Sequence, residues 1–459
     1  MNNYVEKVPN KVKWWISIAD SSCSVLGTIV LGGAFTYYFT QWRGMKADLV
    51  AIVWIIFAIW NAVNDPIYGY ISDRTKSKLG RRIPYIRYGG ILYGIIYALC
   101  FINWPGSGSN QGLMFVQMLV LLFLFDTLYT AVASALFVMP YEVAITNKAR
   151  GSIILIKSIL SFVPLAVGAV VIPMIQPGIG EDGKLYQIFN VGLGLFLGLI
   201  IFISTYFYKE KHVLSEEPQP NFLKSIFECL KNKQFIIYEI LSFTVILVNG
   251  GLMLGLYYYL DEFEMVNKLG LYIGIGLGVV VGLITIPPMV KKFNVRNVLI
   301  VLCLIMSVVS SVMIVGGSIS VIAAICFFMV GLGFAGLMYT IPIINGEVID
   351  YDEVKVGQRR EGIYAGVNSL ITKPAQSLAQ SAFLFIAVRM GYIENLAKGA
   401  QDSSGEKAIL LGWMLLPAIS MFVCFCVLFL FKLHGPEWEK VKEGLAIKHN
   451  EKSISKSEF

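Results

Sequence analysis

Asn61-Ala-Val-Asn64-Asp65-Pro66-Ile-Tyr68-Gly69, followed at once by Ser72-Asp73-Arg74-Thr-Lys-Ser-Lys-Leu-Gly80-Arg81-Arg82-Ile-Pro84, decides how the rest of this chain is read. The stretch closes an apolar run that begins near Ala47, so the Asp65 carboxylate falls inside a segment with the length and composition of a membrane span. An ionisable group there costs roughly 2.5 to 3.5 kcal/mol on insertion scales and marks a functional site by default. Asn61, Asn64, Asp65 and Tyr68 recur at i, i+3, i+4 and i+7, which puts four polar groups on one helical face. Pro66 removes a backbone donor and leaves a carbonyl open to a cation or water. A hydrogen-bonded helix interface would need only the asparagines and the tyrosine. The aspartate points to an ion or proton site.

Composition sets the setting for that site. The 459 residues are 56% hydrophobic and 15% charged, which excludes an ordinary soluble domain. About 20 apolar residues cross the roughly 30 Å of hydrocarbon in a bilayer. Windows of that length fall near residues 14–40, 47–72, 84–104, 113–141, 152–175, 187–208, 235–260, 269–290, 297–317, 319–348, 362–392 and 408–432. These windows predict an all-α membrane protein of twelve transmembrane helices. The widest hydrophilic gap, Lys209 to Lys233, divides the spans six and six. An N-terminal six-helix bundle over 1–208, a linker over 209–234 and a C-terminal six-helix bundle with a short tail over 235–459 are therefore expected.

The net charge of +7 invites a nucleic-acid reading, which its distribution rejects. Basic residues gather in alternate loops: Lys7, Lys11 and Lys13; Arg74, Lys78, Arg81 and Arg82; Lys148 and Arg150; Lys209 to Lys233; Lys291, Lys292 and Arg296; Lys355, Arg359 and Arg360; and the tail. The intervening loops are short and nearly uncharged. By the positive-inside rule both termini are expected on the cytoplasmic side of the cell membrane. The first apolar run is long, carries Asp20 and lacks a clear cleavage site, so it is expected to be retained.

No phosphate-binding GxxxxGK[ST] loop, nucleophile elbow or HExxH pair occurs, and His212, His434 and His449 all lie outside the expected spans. Six of the seven cysteines fall in spans without metal-ligand spacing. The sequence thus predicts no enzyme, no cofactor and no metal beyond a possible Na+. Uphill movement of a solute would have to draw on an ion gradient, with the bilayer and a small molecule as partners and no nucleic acid.

Gly69-x-x-x-Asp73-Arg74 followed by Gly80-Arg81-Arg82 resembles the signature between the second and third helices of the major facilitator superfamily. The resemblance narrows with Asn64-Asp65-Pro66 and Asp73-Arg74-Thr75-x-Ser77-Lys78-x-Gly80-Arg81, which are similar to the glycoside-pentoside-hexuronide:cation symporter family. Gly346-Glu347-Val-Ile-Asp350-Tyr351-Asp352-Glu353, with Gly357, Arg359, Glu361, Tyr364 and Lys373, matches the same family in the other half. Tyr129-Thr130, Pro140, Glu142, Arg150 and Lys157 add a looser third match.

This resemblance implies a twelve-helix major facilitator fold of two bundles that couples sugar uptake to a cation by alternating access. It implies a cation site at Asn61, Asn64, Asp65 and Thr130. A sodium-using member of the family carries a second aspartate where Asn61 stands. A lone carboxylate can be neutralised by one proton, and burial favours the neutral acid. H+ is therefore favoured over Na+, and sugar exchange without ion flux stays open. The family's acidic sugar ligands align near Val25 and near Val132 or Ala133, so Asp126, one turn from Thr130, is the expected substitute. Lys157 and Lys373 match the family's central cations, and a polar stripe of Lys373, Gln376, Ser377 and Gln380 offers donors and acceptors to hydroxyls. Tyr129 and Tyr364 are aromatic candidates for the sugar. Asp73, Arg74, Arg81, Arg150, Glu347, Asp350, Arg359 and Glu361 form the implied cytoplasmic gate, a latch of opposite charges. Two other readings carry weight: a symporter of a non-sugar amphiphile such as a lysophospholipid, and a membrane sugar sensor that does not transport. The polar stripe counts against the first and the short tail against the second.

Overall fold

A computed structural model describes residues 8–75, 77–108, 110–144, 147–176, 183–210, 227, 229–263, 267–357, 361–394 and 396–445. The side chains of Pro66, Gly69, Tyr70, Asp73, Arg74, Tyr141, Asn147, Lys148, Gly151, Glu361 and Gly362 lie outside the description. The main helices, in chain order, are α1 (Asn10–Leu31), α2 (Ala47–Arg74), α3 (Ile83–Cys100), α4 (Gln111–Val143), α5 (Asn147–Leu160), α6 (Lys184–Ser204), α7 (Lys233–Glu262), α8 (Lys268–Phe293), α9 (Val295–Gly316), α10 (Ser320–Val356), α11 (Glu361–Arg389), α12 (Ser403–Leu428) and a tail helix α13 over 436–445. Eleven helices among the described residues are long and apolar enough to cross a membrane. Apart from the short tail helix α13, the exception is α11, whose Asn368, Ser369, Thr372, Lys373, Gln376, Ser377, Gln380 and Ser381 lower its hydropathy over a length of 29 residues. With it the twelve-helix expectation holds.

The helices sort their faces as a lipid solvent requires. Along α2 the exposed positions are Ile52, Ile55, Ile59, Val63, Ile67 and Ile71, an apolar stripe at helical spacing, while Asn61, Asn64 and Tyr68 are buried. Backbone groups in hydrocarbon must find partners within the protein, so helices persist where soluble ones would break. Accordingly α2 runs unbroken through Pro66, and the missing donor does not split it.

By contacts, the described residues divide into two compact units. The first comprises Met1–Glu217, Asn249–Glu262 and Gln376–Ile409; the second comprises Pro218–Val248, Phe263–Ala375 and Leu410–Phe459. In the first unit, two helices are irregular. Helix α1 stops at Gly32-Gly33, resumes over Ala34–Tyr37 and widens into a π-helical turn over Tyr38–Trp42. Gly33 has φ +119, and a Cβ there would stand 2.8 Å from the Leu254 Cα, so only glycine lets α1 and α7 approach this closely. The interruption frees the Leu31 carbonyl, which accepts from Gln376 Nε2 at 3.0 Å and Gln380 Nε2 at 3.3 Å. After α5 the chain continues through Phe162–Ala166 into a second π-helical turn, Val167–Val171, where the Gly168 carbonyl accepts from the Tyr257 hydroxyl at 2.8 Å. Donors from α7 and α11 thus cover both irregular turns. The same end of the unit is tied further by Thr40 with Tyr258 at 2.6 Å, Gln41 Nε2 to the Tyr392 hydroxyl at 2.7 Å, and Lys398 with Asp261 at 3.4 Å.

At the other end of the first unit, the Gly80-Arg81-Arg82 segment does structural work. The Glu210 carboxylate, beyond α6, accepts from the backbone N–H groups of Arg81, Arg82 and Ile83 at 2.8, 2.7 and 2.8 Å. It thereby satisfies the open donors at the start of α3. Gly80 has φ +106, and a Cβ there would fall 2.5 Å from the Glu210 carboxyl carbon.

The second unit buries one main apolar cluster, in which Phe235, Leu241, Leu299, Met306, Val348, Tyr364, Met421, Phe431 and Trp438 join α7, α9, α10, α11, α12 and α13.

Candidate functional site

The polar face read from α2 meets α4 in the first unit. Asn64 Nδ2 donates to Asp126 Oδ2 at 2.8 Å, to the Asp126 carbonyl at 3.1 Å and to Thr130 Oγ1 at 3.0 Å. Asn61, Asn64, Asp126 and Thr130 are each at most 5% exposed, whereas Asp65 is only half-buried. One amide therefore gathers a carboxylate and a hydroxyl that sit one turn apart on α4. The structure brings together Asn64 and Thr130, assigned to the cation, and Asp126, assigned to the sugar.

Lys157 on α5 contacts α1 and α4. Its Nζ lies 2.9 Å from Asp20 Oδ1 and donates to the Leu136 carbonyl at 3.3 Å. Both partners keep some exposure, 14% for the lysine side chain and 28% for the aspartate. Such a pair can be rearranged by a polar solute at modest cost. Asp20 was legible only as a charge within an apolar run; the α1 position aligned with the family's acidic ligand, Val25, is a buried apolar residue. Tyr129, one residue before Thr130, is half-buried and lies near enough to Asp20, Asp65 and Asp126 to feel all three carboxylates. Its ring is parallel to that of Phe125, 6.4 Å away.

The α11 stripe is spread over both units. Lys373 is half-buried in the second. In the first, Gln376 and Gln380 hold the Leu31 carbonyl, Gln380 also donates to the Gly250 carbonyl at 2.8 Å, and the buried Ser377 hydroxyl has no hydrogen-bond partner. Tyr364, a sugar candidate from sequence, is fully packed in the apolar cluster, edge-on to Phe235 at 4.7 Å, with its hydroxyl accepting from Asn232 at 3.2 Å.

Among the gate residues, Arg81 Nη2 lies 3.9 Å from the buried Glu142, and Arg150 Nε donates to the Ala144 carbonyl at 2.8 Å, where the chain passes from α4 to α5. Glu347 on α10 accepts from the Trp438 indole N–H and pairs with Lys442 at 2.9 Å. Burial works against the Lys442 charge, but hydrogen bonds to Glu347 and Glu439 outweigh it and hold the ammonium above the ordinary lysine range. Sequence reasoning missed this tail contact because Trp438 lies 91 residues beyond Glu347 and α13 carries no motif. Asp350 is half-buried on α10. Arg359 lies outside the described residues, as do the side chains of Asp73, Arg74 and Glu361.

Twelve helices with buried carboxylates, amides and a lysine inside two helical units define a multi-pass membrane transporter. Residues 18–435 match the family described as MFS/sugar transport protein, and the chain belongs to that family. It is a transporter and not an enzyme. An isoprimeverose transporter of Lactiplantibacillus pentosus is 20% identical over 96% of this chain and 92% of its own length. The uncharacterized symporter YjmB of Bacillus subtilis (strain 168) is 25% identical over 89% of each chain. Among solved structures, a D-xylose-proton symporter superposes with a TM-score of 0.61 at 13% identity, covering 90% of this chain and 96% of its own. That last likeness speaks for the fold.

Proposed function

We propose that this protein imports a glycoside or oligosaccharide together with H+ by alternating access, in the cytoplasmic membrane with both termini in the cytoplasm. The observation that carries the coupling is the Asn64 amide shared by the buried Asp126 and Thr130. Carboxyl groups buried within spans are where a transported cation is exchanged. The amide turns N–H groups toward the cluster, a flank suited to a protonatable carboxyl and poorly suited to Na+, which needs oxygen ligands. Asn61 in place of a second aspartate supports the same choice. Asp65, with Asn61, Asn64 and Thr130, carries the coupling proton.

Lys157 with Asp20, Tyr129 and Asp126 supplies sugar contacts from the first six helices; Lys373 and Gln376 supply them from α11, while Tyr364, packed in the apolar cluster, is left out. Charged and amide groups around hydroxyls give a sugar both donors and acceptors. The family and the isoprimeverose transporter support a sugar over a lipid-like solute. The gate on the cytoplasmic side comprises Asp73, Arg74, Arg81, Arg150, Glu347, Asp350, Arg359 and Glu361, and the two six-helix bundles of 1–208 and 235–459 move as its halves. Purified protein in liposomes, supplied with labelled isoprimeverose, tests the reading. An inward pH gradient should drive accumulation, and an Na+ gradient at equal pH should not. Accumulation driven by Na+ alone would replace H+ as the ion.

A further inference from the structure

The second unit holds a buried carboxyl that the sugar and cation assignments do not use. Glu239 lies on α7, six residues into the helix, and is 5% exposed. Asn368 Nδ2, on α11, donates to Glu239 Oε1 at 3.1 Å and to Ser242 Oγ at 3.0 Å. The other oxygen, Oε2, is buried without a hydrogen-bond partner among the described residues. No lysine, arginine or histidine pairs with Glu239 among the described residues. Titratable groups on the helices packed here are Tyr238 beside it on α7, Tyr364 one turn before Asn368 on α11, whose hydroxyl meets the buried Asp352 of α10, and Cys424 on α12, whose Sγ contacts the Ile240 carbonyl at 3.7 Å.

The arrangement repeats, in different residues, what Asn64 does in the first unit. There one amide bonds a carboxylate and a hydroxyl one turn apart on α4; here one amide bonds a carboxylate and a hydroxyl one turn apart on α7. A buried charge without a cation is expensive, by several kcal/mol, and is relieved when the group is neutralised. The N–H groups of Asn368 occupy the flank a metal cation would need, while Oε2 is free to take a hydrogen. We infer that Glu239 is a second proton-binding carboxyl, which takes a proton from water on Oε2 and returns it to water during the transport cycle. The inference deepens the proposed symport and rests on it for that last step, but proton binding itself can be observed without transport.

Infrared difference spectra of the purified full-length protein, titrated across pH, read the carboxylic C=O band of buried acids directly. Wild type should show a band that is lost in Glu239→Gln, and Asn368→Ala, which keeps the carboxyl, should displace that band or its titration. In liposomes Glu239→Gln should move one proton fewer per sugar than wild type. A spectrum unchanged by Glu239→Gln overturns the inference, as does a wild-type Glu239 that stays ionised at every pH tested. If Glu239→Gln does not fold, an unshifted band in Asn368→Ala overturns it instead. A titrating Glu239 band in a protein that fails to accumulate sugar would leave the proton site standing and sink the transport reading. An unchanged proton-to-sugar ratio with the band lost would confine Glu239 to static proton binding and overturn its part in the cycle.

Discussion

Asn64 shows how much one side chain can organise. Its amide serves acceptors on two buried residues, Asp126 and Thr130, so Asn64→Leu, close in size, removes the shared donor from both. Leaving a buried polar group without its partner costs roughly 1 to 3 kcal/mol, and thermal unfolding in detergent should register a loss of that order together with loss of uptake. The Lys157–Asp20 pair, 2.9 Å apart and partly exposed, makes a different prediction. Lys157→Gln and Asp20→Asn should each weaken sugar binding, and the double variant should fall short of their sum by about 0.5 kcal/mol or more, the scale for residues in contact. Additive losses would mean the two act apart. The polar face of α2 was legible because helical spacing is a local signal, and Lys157 stood out as a charge in an apolar run. Asp20 as the partner was not, since it depends on how α1 packs against α5.

At the scale of the element, the irregular turns of α1 and α5 are held by donors from helices far away in sequence. Gly32-Gly33 reads in sequence as a weak point, but nothing local says that Gln376 and Gln380 supply the freed Leu31 carbonyl. The stripe on α11 was visible at its spacing and was read as open to a ligand. In this conformation part of it closes the end of the first unit instead. Gly33→Ala places a side chain at positive φ against the backbone of Leu254, and strain of this kind costs roughly 1 to 3 kcal/mol. Its unfolding temperature should drop, while Gly192→Ala, inside α6 where an added Cβ meets nothing within 4 Å, should not lower it and, by removing a helical glycine, should raise it slightly. The Gly80-Arg81-Arg82 motif likewise carries a meaning beyond charge, because its backbone seats the Glu210 carboxylate.

For the whole molecule, the helix count was readable because a membrane imposes one rule, about 20 apolar residues per crossing, along the entire chain, whereas the family was read from the resemblance of motifs such as Asn64-Asp65-Pro66. Long-range tertiary contacts obey no such rule, and the tail illustrates it. Trp438 is buried in the apolar cluster of the second unit and donates to Glu347, so the segment beyond α12 is part of that unit's structure. Trp438→Ala should destabilise the protein by about 3 to 5 kcal/mol, as for large aromatic truncations in cores, with Lys442→Ala a milder change.

Sugar-linked proton movement bears on the central claim most directly. A glycoside substrate added to lightly buffered, de-energised cells producing the protein should raise the external pH as protons enter with the sugar. Asp65→Asn should abolish that rise while retaining exchange of labelled for unlabelled sugar. Sugar entry without alkalinisation in wild type, or full uphill accumulation by Asp65→Asn, would contradict the account.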